Sequence, residues 1–214
     1  MGPSSDRSRL PASAPEIGGY SRYKNLLVTT KFAMIIISLG SNVISRWGSP
    51  HATILQALRE LESRGVCILR RSRLYRTSPY GPVDQPVFVN AAAAIGTSLA
   101  ADTLLTLVKN IEARAGRTPS KVWGPRALDI DIIDYNRQIL NWSQRGTQFF
   151  KCKRFSLILP HPRVETRAFV LQPLLDVAPH WHHPVSGLHA AQLLARLRFH
   201  KMGRIIETLG DNTL

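Results

Sequence analysis

The chain has 214 residues, 44% of them hydrophobic, which is enough for one sizeable core and short for two independent ones. Lysine and arginine outnumber aspartate and glutamate by 28 to 14, so the surface should attract polyanions such as nucleotides, nucleic acid or acidic membranes. No apolar run reaches the roughly 18 residues that a membrane span requires, and the two cysteines form no CxxC pair. We therefore expect one cytoplasmic domain with tails, without a membrane segment, a disulfide framework or a zinc site.

The first 33 residues carry no predicted element of this domain. They are rich in Ser, Pro, Gly and Arg and lack a hydrophobic period, so we expect residues 1–33 to be a disordered leader. Three origins of the leader stay open: a basic arm, a targeting segment, or an upstream extension of a chain that naturally starts at Met34. The domain should then span residues 34–205, followed by a C-terminal tail at 206–214.

A strand and a helix open the domain. Residues 34–39 form an apolar run that ends before Gly40, which predicts a buried strand. Ser49 and Pro50 supply an N-cap and a proline at the first helical position. Apolar residues then recur at helical spacing, so we expect a helix that ends at Gly65.

Two strands and a second helix follow. Residues 66–77 alternate apolar with basic side chains and predict one strand, and a turn-rich stretch at 78–82 follows it. Residues 88–95 predict another strand, although the alanines at 91–94 weaken that prediction. Apolar residues at helical spacing predict a helix over residues 101–115, with Gly116 as its stop.

The last strand of the predicted core is the alternating run Leu-Asp-Ile-Asp-Ile at residues 128–132. The elements then occur in the order strand, helix, strand, strand, helix, strand. This βαββαβ order is typical of a ferredoxin-like α+β fold, to which residues 160–205 should add an appended, mostly helical C-terminal region.

Asp129 and Asp131 lie two residues apart on this strand, which places both carboxylates on one face. Two adjacent like charges need a counterion, and Mg²⁺ usually binds through one or two carboxylates together with substrate phosphates. The pair is therefore a candidate metal site on a nucleotide. An isolated Asp-x-Asp pair is more often two solvated acids on an exposed strand face, so the neighbouring residues decide between the two.

Just upstream, Trp123 and Arg126 close a loop that begins near Arg117. The planar guanidinium group binds phosphate oxygens bidentately and stabilises charge that develops during phosphoryl transfer. A rigid Gly-Pro turn with a packed tryptophan is the alternative explanation.

Downstream, His161 and Arg167 are placed to face phosphates, and Phe169 offers an aromatic plate for a flat heterocycle. A histidine between prolines is more often an ordinary loop residue. The chain has no GxxxxGK[ST] loop, so side chains and metal would have to hold ATP.

Several motifs occur in a fixed order from Ile36 to about Gly187. They are Ser38-Leu39-Gly40-Ser41-Asn42, Tyr75-Arg76-Thr77-Ser78-Pro79, Gly81-Pro82 with Asp84-Gln85-Pro86, Phe88-Val89-Asn90-Ala91, Ile111-Glu112, Gly116-Arg117, the run from Trp123 to Ile132, Leu159-Pro160-His161-Pro162 and Arg167-Ala168-Phe169. In this order they resemble the 6-hydroxymethyl-7,8-dihydropterin pyrophosphokinase family. The Trp-Gly-Pro-Arg-x-Leu-Asp-x-Asp run is the most specific of them.

The resemblance implies an enzyme of folate synthesis that moves the β,γ-diphosphate of ATP onto the hydroxymethyl group of 6-hydroxymethyl-7,8-dihydropterin and releases AMP. It implies that Asp129 and Asp131 hold two Mg²⁺ ions that bridge the ATP phosphates and the pterin hydroxyl. It also implies a monomer without a nucleic-acid or membrane partner.

The resemblance further implies how ATP is held. Arg117 and Arg126 would clamp the triphosphate from a mobile loop, with Trp123 packing as that loop closes. His161 and Arg167 would touch phosphates from the opposite side. Two more expected contacts, with less defined roles in the nucleotide region, are Lys109 and Glu112.

For the pterin, the resemblance implies a ring held between Phe88 and Phe169, with Asn90 at its polar edge. The backbone around residues 77–80 would contribute beside them, through Thr77, Ser78 and Tyr80.

Three departures from the family pattern stand out. Val122 occupies a position where an arginine often precedes the tryptophan, and the loop from Arg117 to Trp123 is slightly short, so its dynamics should differ. Residues 141–156 form a longer, basic connection than the family needs. Phe88 and Tyr80 replace other residues that are common at their positions.

The alternative function is a basic nucleic-acid-binding domain, since the net charge is +14 and RNA-recognition modules share the ferredoxin-like pattern. Against it, residues 87–92 lack an aromatic RNP1-type motif and the last strand carries acids that would repel RNA phosphate. The cluster His180-Trp181-His182-His183 lacks a spaced metal-binding partner, so we expect it to have a surface or packing role.

Overall fold

The computed structural model describes residues 34–82, 84–117, 124–142, 157–198 and 203–210, and within these ranges the chain forms six strands and four α-helices. The strands are β1 (Ile35–Ser41), β2 (Cys67–Arg71), β3 (Leu74–Thr77), β4 (Phe88–Gly96), β5 (Asp129–Tyr135) and β6 (Ile205–Leu209). The helices are α1 (Pro50–Glu62), α2 (Ala101–Arg114), α3 (Ala168–Val177) and α4 (Ala190–Arg196), with a 3-10 helix at Val164–Thr166. The predicted leader, Trp123 and most of the basic connection lie outside the described residues.

The six strands form one sheet in which every pairing is antiparallel. Its order is β5-β1-β4-β3-β6, and β2 pairs with the part of β4 that extends beyond β3. The predicted mixture of helices and strands is therefore confirmed. The sheet has two strands more than the predicted core, because one predicted strand is divided and another is added at the edge.

The divided strand is the stretch at 66–77, and Ser72 lies at the break between β2 and β3. Its Oγ accepts the Ala92 N–H at 2.8 Å, and its own N–H donates to the Ala92 carbonyl at 2.9 Å. Ser72 thus satisfies the backbone of β4 where the pairing changes from β2 to β3. The prediction of a single strand was wrong, because alternation along a sequence carries no signal for such a side-chain bond.

Helices cover both faces of the sheet. Ile35, Ile37 and Leu39 of β1 pack with α1 and α2, whereas Ile36 packs with α3 and α4. Alternate residues of one strand therefore enter two different cores, as the period of two requires. Full burial of each such side chain contributes roughly 1.5–3 kcal/mol, so both cores hold β1 in place.

The alanine run of β4 lies between these two cores. Ala91 and Ala93 face the core of α1 and α2, and Ala92 and Ala94 face the core of α3 and α4. All four are at most 3% exposed. Small side chains let the helices lie close to both faces, which explains why a weak strand former fills a central strand.

Both predicted helices of the core are confirmed. Ser49 Oγ accepts the Ala52 N–H at 3.3 Å, Pro50 is the first residue of α1, and Gly65 follows the helix with a φ of +78°. Only glycine adopts this left-handed conformation without cost, so it marks the helix end in the sequence.

The C-terminal region contains α3, α4 and then β6, a strand that the sequence analysis did not predict. β6 pairs with β3, so that Thr77 lies opposite Ile205 and Leu74 opposite Leu209. The three residues between the ends of β6 are exposed, which explains why its hydrophobic pattern is too weak to reveal it. Among the described helices, none has the length and apolar character needed to cross a bilayer.

Candidate active site

Asp129 and Asp131 lie on β5, next to the central strand β1. Asp129 pairs with Gly40 and Asp131 pairs with Ser38 across the two strands. Ile130, between the two acids, is fully buried, whereas both carboxylates are partly exposed. The predicted alternation is therefore confirmed, and the two carboxylates share one face of the sheet.

Two arginines converge on Asp129. Arg117 Nη1 lies 2.8 Å from Asp129 Oδ1, and Arg126 Nη1 lies 2.5 Å from Asp129 Oδ2. Arg117 follows Gly116, whose φ of +97° turns the chain away from α2. The two ends of the predicted arginine loop thus meet at one carboxylate.

Asp131 has its own pair of basic neighbours. Arg167 Nη1 lies 3.2 Å and His161 Nε2 lies 3.6 Å from Asp131 Oδ2. Burial on its own would raise the pKa of Asp131, but two charges outweigh it and hold that pKa below its ordinary value: that of the His161 ring, which is protonated at the acid pH where Asp131 titrates, and that of Arg167. The carboxylate is therefore ionised at neutral pH.

His161 is held against β5 by its backbone, since its N–H donates to the Ile133 carbonyl at 2.9 Å. Its Nδ1 accepts the Arg163 N–H at 3.1 Å, so the proton of the neutral ring lies on Nε2, the atom that faces Asp131. Burial lowers the pKa of His161, and the opposing effect of Asp131 does not cancel it. At pH 7 the ring is thus a neutral hydrogen-bond donor.

A cleft with aromatic walls, the aromatic cleft, opens beside the two carboxylates. Tyr80, Phe88 and Phe169 line it, and the ring centroids of Tyr80 and Phe169 lie 5.8 Å apart at a tilt of 60°. Its uncharged polar side chains are those of Ser38, Thr77, Ser78, Gln85 and Asn90. All six residues expected to bind the pterin therefore line a single cleft.

Asn90 is 3% exposed in this lining, and its Nδ2 donates to Thr77 Oγ1 at 2.8 Å. Its Oδ1 faces Gly40, where an added Cβ would lie only 2.8 Å from that oxygen. A glycine is therefore required for β1 to pass the amide. The predicted end of the first strand at Gly40 was too early, because β1 continues through it to Ser41.

A second cleft, the basic cleft, adjoins the first. Lys109, His161 and Arg163 line it together with apolar residues of α2 and β5. The residues that line both clefts are Arg126, Asp129, Asp131, Arg163 and Arg167. The carboxylate pair therefore lies where an aromatic cleft and a basic cleft meet.

Glu112 is 1% exposed and lines neither cleft. Its Oε1 accepts the Ile130 N–H at 2.7 Å and a hydrogen bond from Lys109 Nζ at 2.8 Å, and its Oε2 pairs with Arg117. Burial raises the pKa of Glu112, which Lys109 and Arg117 oppose. In this structure Glu112 holds two basic side chains and the β5 backbone in place.

Sequence reasoning missed four residues that build the site. Ser38, Gln85 and Arg163 line the clefts, and the buried Asn42 accepts the Arg126 N–H. Each of the four lies inside or next to a motif noted in the sequence, but the residue itself was given no role. Trp123, which was assigned one, lies outside the described residues.

The cluster at residues 180–183 lies in packing and surface positions, as expected. Trp181 and His183 are buried, and Trp181 Nε1 donates to Asp134 Oδ2 at 2.6 Å. His183 Nδ1 accepts the backbone N–H of Ser186 at 3.1 Å. Across the described ranges, no group of three or more His, Cys, Asp or Glu side chains is arranged to hold a metal ion.

A sequence model of the 7,8-dihydro-6-hydroxymethylpterin-pyrophosphokinase family (HPPK) matches residues 36–179. The chain belongs to this family. Every residue that lines the two clefts falls within the stretch that matches HPPK.

Curated relatives agree with HPPK membership. The chain is 37% identical to 2-amino-4-hydroxy-6-hydroxymethyldihydropteridine pyrophosphokinase of Pseudomonas aeruginosa, over 80% of this chain and 96% of that protein. It is 40% identical to the protein of the same name from Methylorubrum extorquens, over 75% of this chain and 91% of that protein. Family and relatives together support pyrophosphokinase activity in folate synthesis.

Longer relatives contain a similar stretch. The folic acid synthesis protein fol1 of Pneumocystis carinii is 37% identical to this chain. The match covers 83% of this chain and 22% of that longer protein. Among solved structures, wild-type HPPK-DHPS of Plasmodium falciparum with pteroate has a TM-score of 0.56 and 15% identity, over 78% of this chain and 44% of that one. The structural likeness shows that the fold is shared.

Proposed function

We propose that this chain transfers the β,γ-diphosphate of ATP to the hydroxymethyl group of 6-hydroxymethyl-7,8-dihydropterin and releases AMP. The observation that carries the proposal is that Asp129 and Asp131 line both the aromatic cleft and the basic cleft. A flat heterocycle in one cleft and a triphosphate in the other would bring their reacting ends to the same two carboxylates.

The aromatic cleft suits the pterin. Phe88 and Phe169 supply rings for stacking on a flat bicycle, which prefers offset or tilted contacts with aromatic side chains. The hydrogen-bonded pair of Asn90 and Thr77 supplies polar atoms for the edge of the ring. Ser78 and Tyr80 complete the lining on the side of the β3 strand.

The basic cleft suits the triphosphate. Lys109, His161 and Arg167 line it, and a phosphate oxygen accepts hydrogen bonds from all three types of side chain. Arg117 and Arg126 pair with Asp129 in this structure, so they would exchange the carboxylate for phosphate when ATP binds. We assign Glu112 the positioning of Lys109 and Arg117, in place of the direct nucleotide contact expected from the resemblance.

The residues present fit a magnesium site. Asp129 and Asp131 offer hard oxygen ligands two residues apart on β5, and the neighbouring charges keep Asp131 ionised. Two carboxylates suffice because Mg²⁺ takes its remaining ligands from phosphate oxygens and water. When bound, Mg²⁺ neutralises phosphate charge and lowers the pKa of a coordinated hydroxyl. We propose that the two aspartates hold two ions.

In the proposed reaction the pterin hydroxyl oxygen forms a bond to the β-phosphorus of ATP. The bond between that phosphorus and the oxygen that bridges to the α-phosphate breaks, AMP leaves with this oxygen, and the hydroxyl proton is released. The protein's contribution is to align the two substrates and to place guanidinium groups around the transferred diphosphate.

Two further features belong to the proposal. The order β1, α1, β2 with β3, β4, α2, β5 and the antiparallel pairing of β1 with β4 and β5 support the ferredoxin-like interpretation of the core. We also propose that the catalytic unit is a monomer, as the family resemblance implies. The cytoplasmic location stays a prediction.

The proposal is tested by incubating the purified chain with ATP, Mg²⁺ and 6-hydroxymethyl-7,8-dihydropterin and separating the products by ion-exchange chromatography. We expect AMP and a pterin diphosphate in equal amounts, and neither when the pterin or Mg²⁺ is omitted. Formation of ADP with a pterin monophosphate would refute diphosphate transfer. Absence of any pterin-dependent nucleotide cleavage would refute the proposed activity altogether.

A further inference from the structure

The backbone that precedes β6 is bound to the wall of the aromatic cleft. The Ser78 N–H donates to the Arg204 carbonyl at 2.9 Å, and the Arg204 N–H donates to Ser78 Oγ at the same distance. The Gly203 N–H donates to the Pro79 carbonyl at 3.2 Å. The antiparallel pairing of β3 with β6 thus continues past Thr77 into the loop that carries Ser78 and Tyr80.

Gly203 packs directly against two aromatic rings of this cleft. A Cβ added at residue 203 would lie 2.8 Å from Phe169 Cδ1 and 3.1 Å from Tyr80 Cδ2. The residue is buried, and its φ of +67° is a conformation that favours glycine. Gly203 does not line the cleft itself, so it contacts Tyr80 and Phe169 without occupying the space between the walls.

The position of Phe169 also affects the carboxylate end of the site. The Arg167 guanidinium carbon lies 5.6 Å from the centre of the Phe169 ring, and Arg167 pairs with Asp131. A shift of the ring would therefore change the aromatic cleft first and the phosphate side only through Arg167.

We propose that Gly203 is a positioning residue that sets the positions of the Tyr80 and Phe169 rings in the wall of the aromatic cleft and so determines how tightly the pterin binds. This inference rests on the proposed function, because it assigns the aromatic cleft to the pterin. It gives the C-terminal segment from Gly203 through β6 a role in substrate binding, although this segment lies beyond the stretch that matches HPPK.

The test compares Gly203→Ala with Gly187→Ala. Gly187 has nearly the same φ, +69°, but nothing lies within 4 Å of an added Cβ, so its substitution carries the backbone strain without the ring contacts. We expect Gly203→Ala to raise the KM for the pterin at least about fivefold relative to Gly187→Ala, with kcat within about twofold, because loss of binding that is equal in the ground state and the transition state raises KM alone. The KM for ATP should be the same in both variants within about twofold.

A second pair of variants keeps the inference testable if Gly203→Ala does not fold. Tyr80→Ala removes one of the two rings that the added methyl group would meet, while the closer contact, at 2.8 Å from Phe169 Cδ1, remains. We expect the double variant Tyr80→Ala with Gly203→Ala to have a higher KM for the pterin than Tyr80→Ala alone.

The outcomes separate the two proposals. If the wild-type chain releases no pterin-dependent AMP, the proposed function fails and the inference falls with it. If the wild-type chain is active but Gly203→Ala and Gly187→Ala share one pterin KM, only the inference is refuted. Equal rises in the KM for ATP and for the pterin would also refute it, because they indicate general loosening of the fold.

Discussion

Asn42 holds the backbone of Arg126, which lies 84 residues further along the chain, by two hydrogen bonds. Its Oδ1 accepts the Arg126 N–H at 2.8 Å, and its own N–H donates to the Arg126 carbonyl at 3.1 Å. Its Nδ2 donates to Gln85 Oε1 and to the Pro86 carbonyl, both at 3.0 Å. A side chain that is 3% exposed thus joins the segment of Arg126 to the loop that precedes β4.

Asn42→Ala should damage both clefts at once. It removes three side-chain hydrogen bonds in a buried position, so we expect the free energy of unfolding in urea to fall by about 1–3 kcal/mol. We also expect kcat/KM to fall for both substrates, because the segments of Arg126 and Gln85 lose their shared anchor. Asn110→Ala, at an exposed position of α2, is the control and should change stability by less than about 0.5 kcal/mol. Equal kinetics in the two variants would contradict the role of Asn42.

Glu112→Gln tests whether the negative charge of Glu112 positions Lys109 and Arg117. Glutamine can still accept the Ile130 N–H but cannot pair with the two cations, so we expect a higher KM for ATP and an unchanged KM for the pterin. Glu62→Gln, at an exposed position of α1, is the matched control. A KM for ATP equal to that of the control would show that Arg117 reaches phosphate without Glu112.

The same substitution should change how stability depends on pH. Because burial raises the pKa of Glu112 in the folded state, its ionisation costs stability as pH rises from the unfolded value near 4.3 through the folded one. Glutamine has no such ionisation, so the stability of Glu112→Gln relative to wild type should increase from pH 4 to pH 7. A constant difference over this range would contradict the raised pKa.

Tyr75→Phe tests the contact between β3 and α3. The Tyr75 hydroxyl donates to Asp176 Oδ2 at 2.8 Å, and burial followed by this contact raises the pKa of Tyr75 to about 12. The folded state therefore retains the phenol proton, and stability present below pH 10 is lost as pH rises toward 12. We expect Tyr75→Phe to cost about 1 kcal/mol at pH 7 and to flatten this alkaline loss in urea unfolding.

Tyr135→Phe is the control for Tyr75→Phe, since the Tyr135 hydroxyl donates to the Leu99 carbonyl and not to a charged group. The stability that Tyr135→Phe loses at pH 7 measures the contribution of a hydrogen bond to a neutral acceptor. If wild type and Tyr75→Phe lose stability in parallel above pH 10, Tyr75 does not carry the alkaline transition.

Periodicity predicted the parts of the fold in which one face of an element is buried. The alternation around Ile130 and the helical spacing between Ser49 and Gly65 each gave the right element, because burial on one face leaves a signal in the sequence. β4 and β6 are the opposite cases: β4 is buried on both faces and β6 on almost none. Neither strand has a hydrophobic pattern of period two, so the prediction of β4 was weak and β6 was not predicted.

For the site, the residues predicted from motifs converge because β1, β4 and β5 are neighbours in the sheet. What the sequence did not reveal is which polar residues support the others. Glu112 and Asn42 are buried behind the clefts, and their hydrogen bonds join segments far apart in the chain. Gly203 carries no side chain at all, so only its contacts with the two rings show that it matters.

Asp129→Asn and Asp131→Asn test the proposed metal site, since each keeps the shape of the side chain and removes its charge. Each carboxylate pairs with two basic groups, and each is about a quarter exposed, so we expect a stability loss below about 1 kcal/mol in urea unfolding. Turnover should fall at least about a hundredfold, because the ligands that would place magnesium on the transferred diphosphate are lost. The measurement is magnesium-dependent AMP release.

Pterin binding distinguishes loss of metal from loss of the site. Phe88, Asn90 and Phe169 are unchanged in both variants, so the dissociation constant of the pterin, measured by fluorescence without ATP, should stay within about threefold of wild type. Asp102→Asn, an exposed change on the first turn of α2, is the control for a lost surface carboxylate and should retain full turnover. If Asp129→Asn or Asp131→Asn keeps near-normal AMP release while the pterin still binds, the two acids are solvated surface groups. The proposed mechanism would then lack the carboxylates that bind its magnesium.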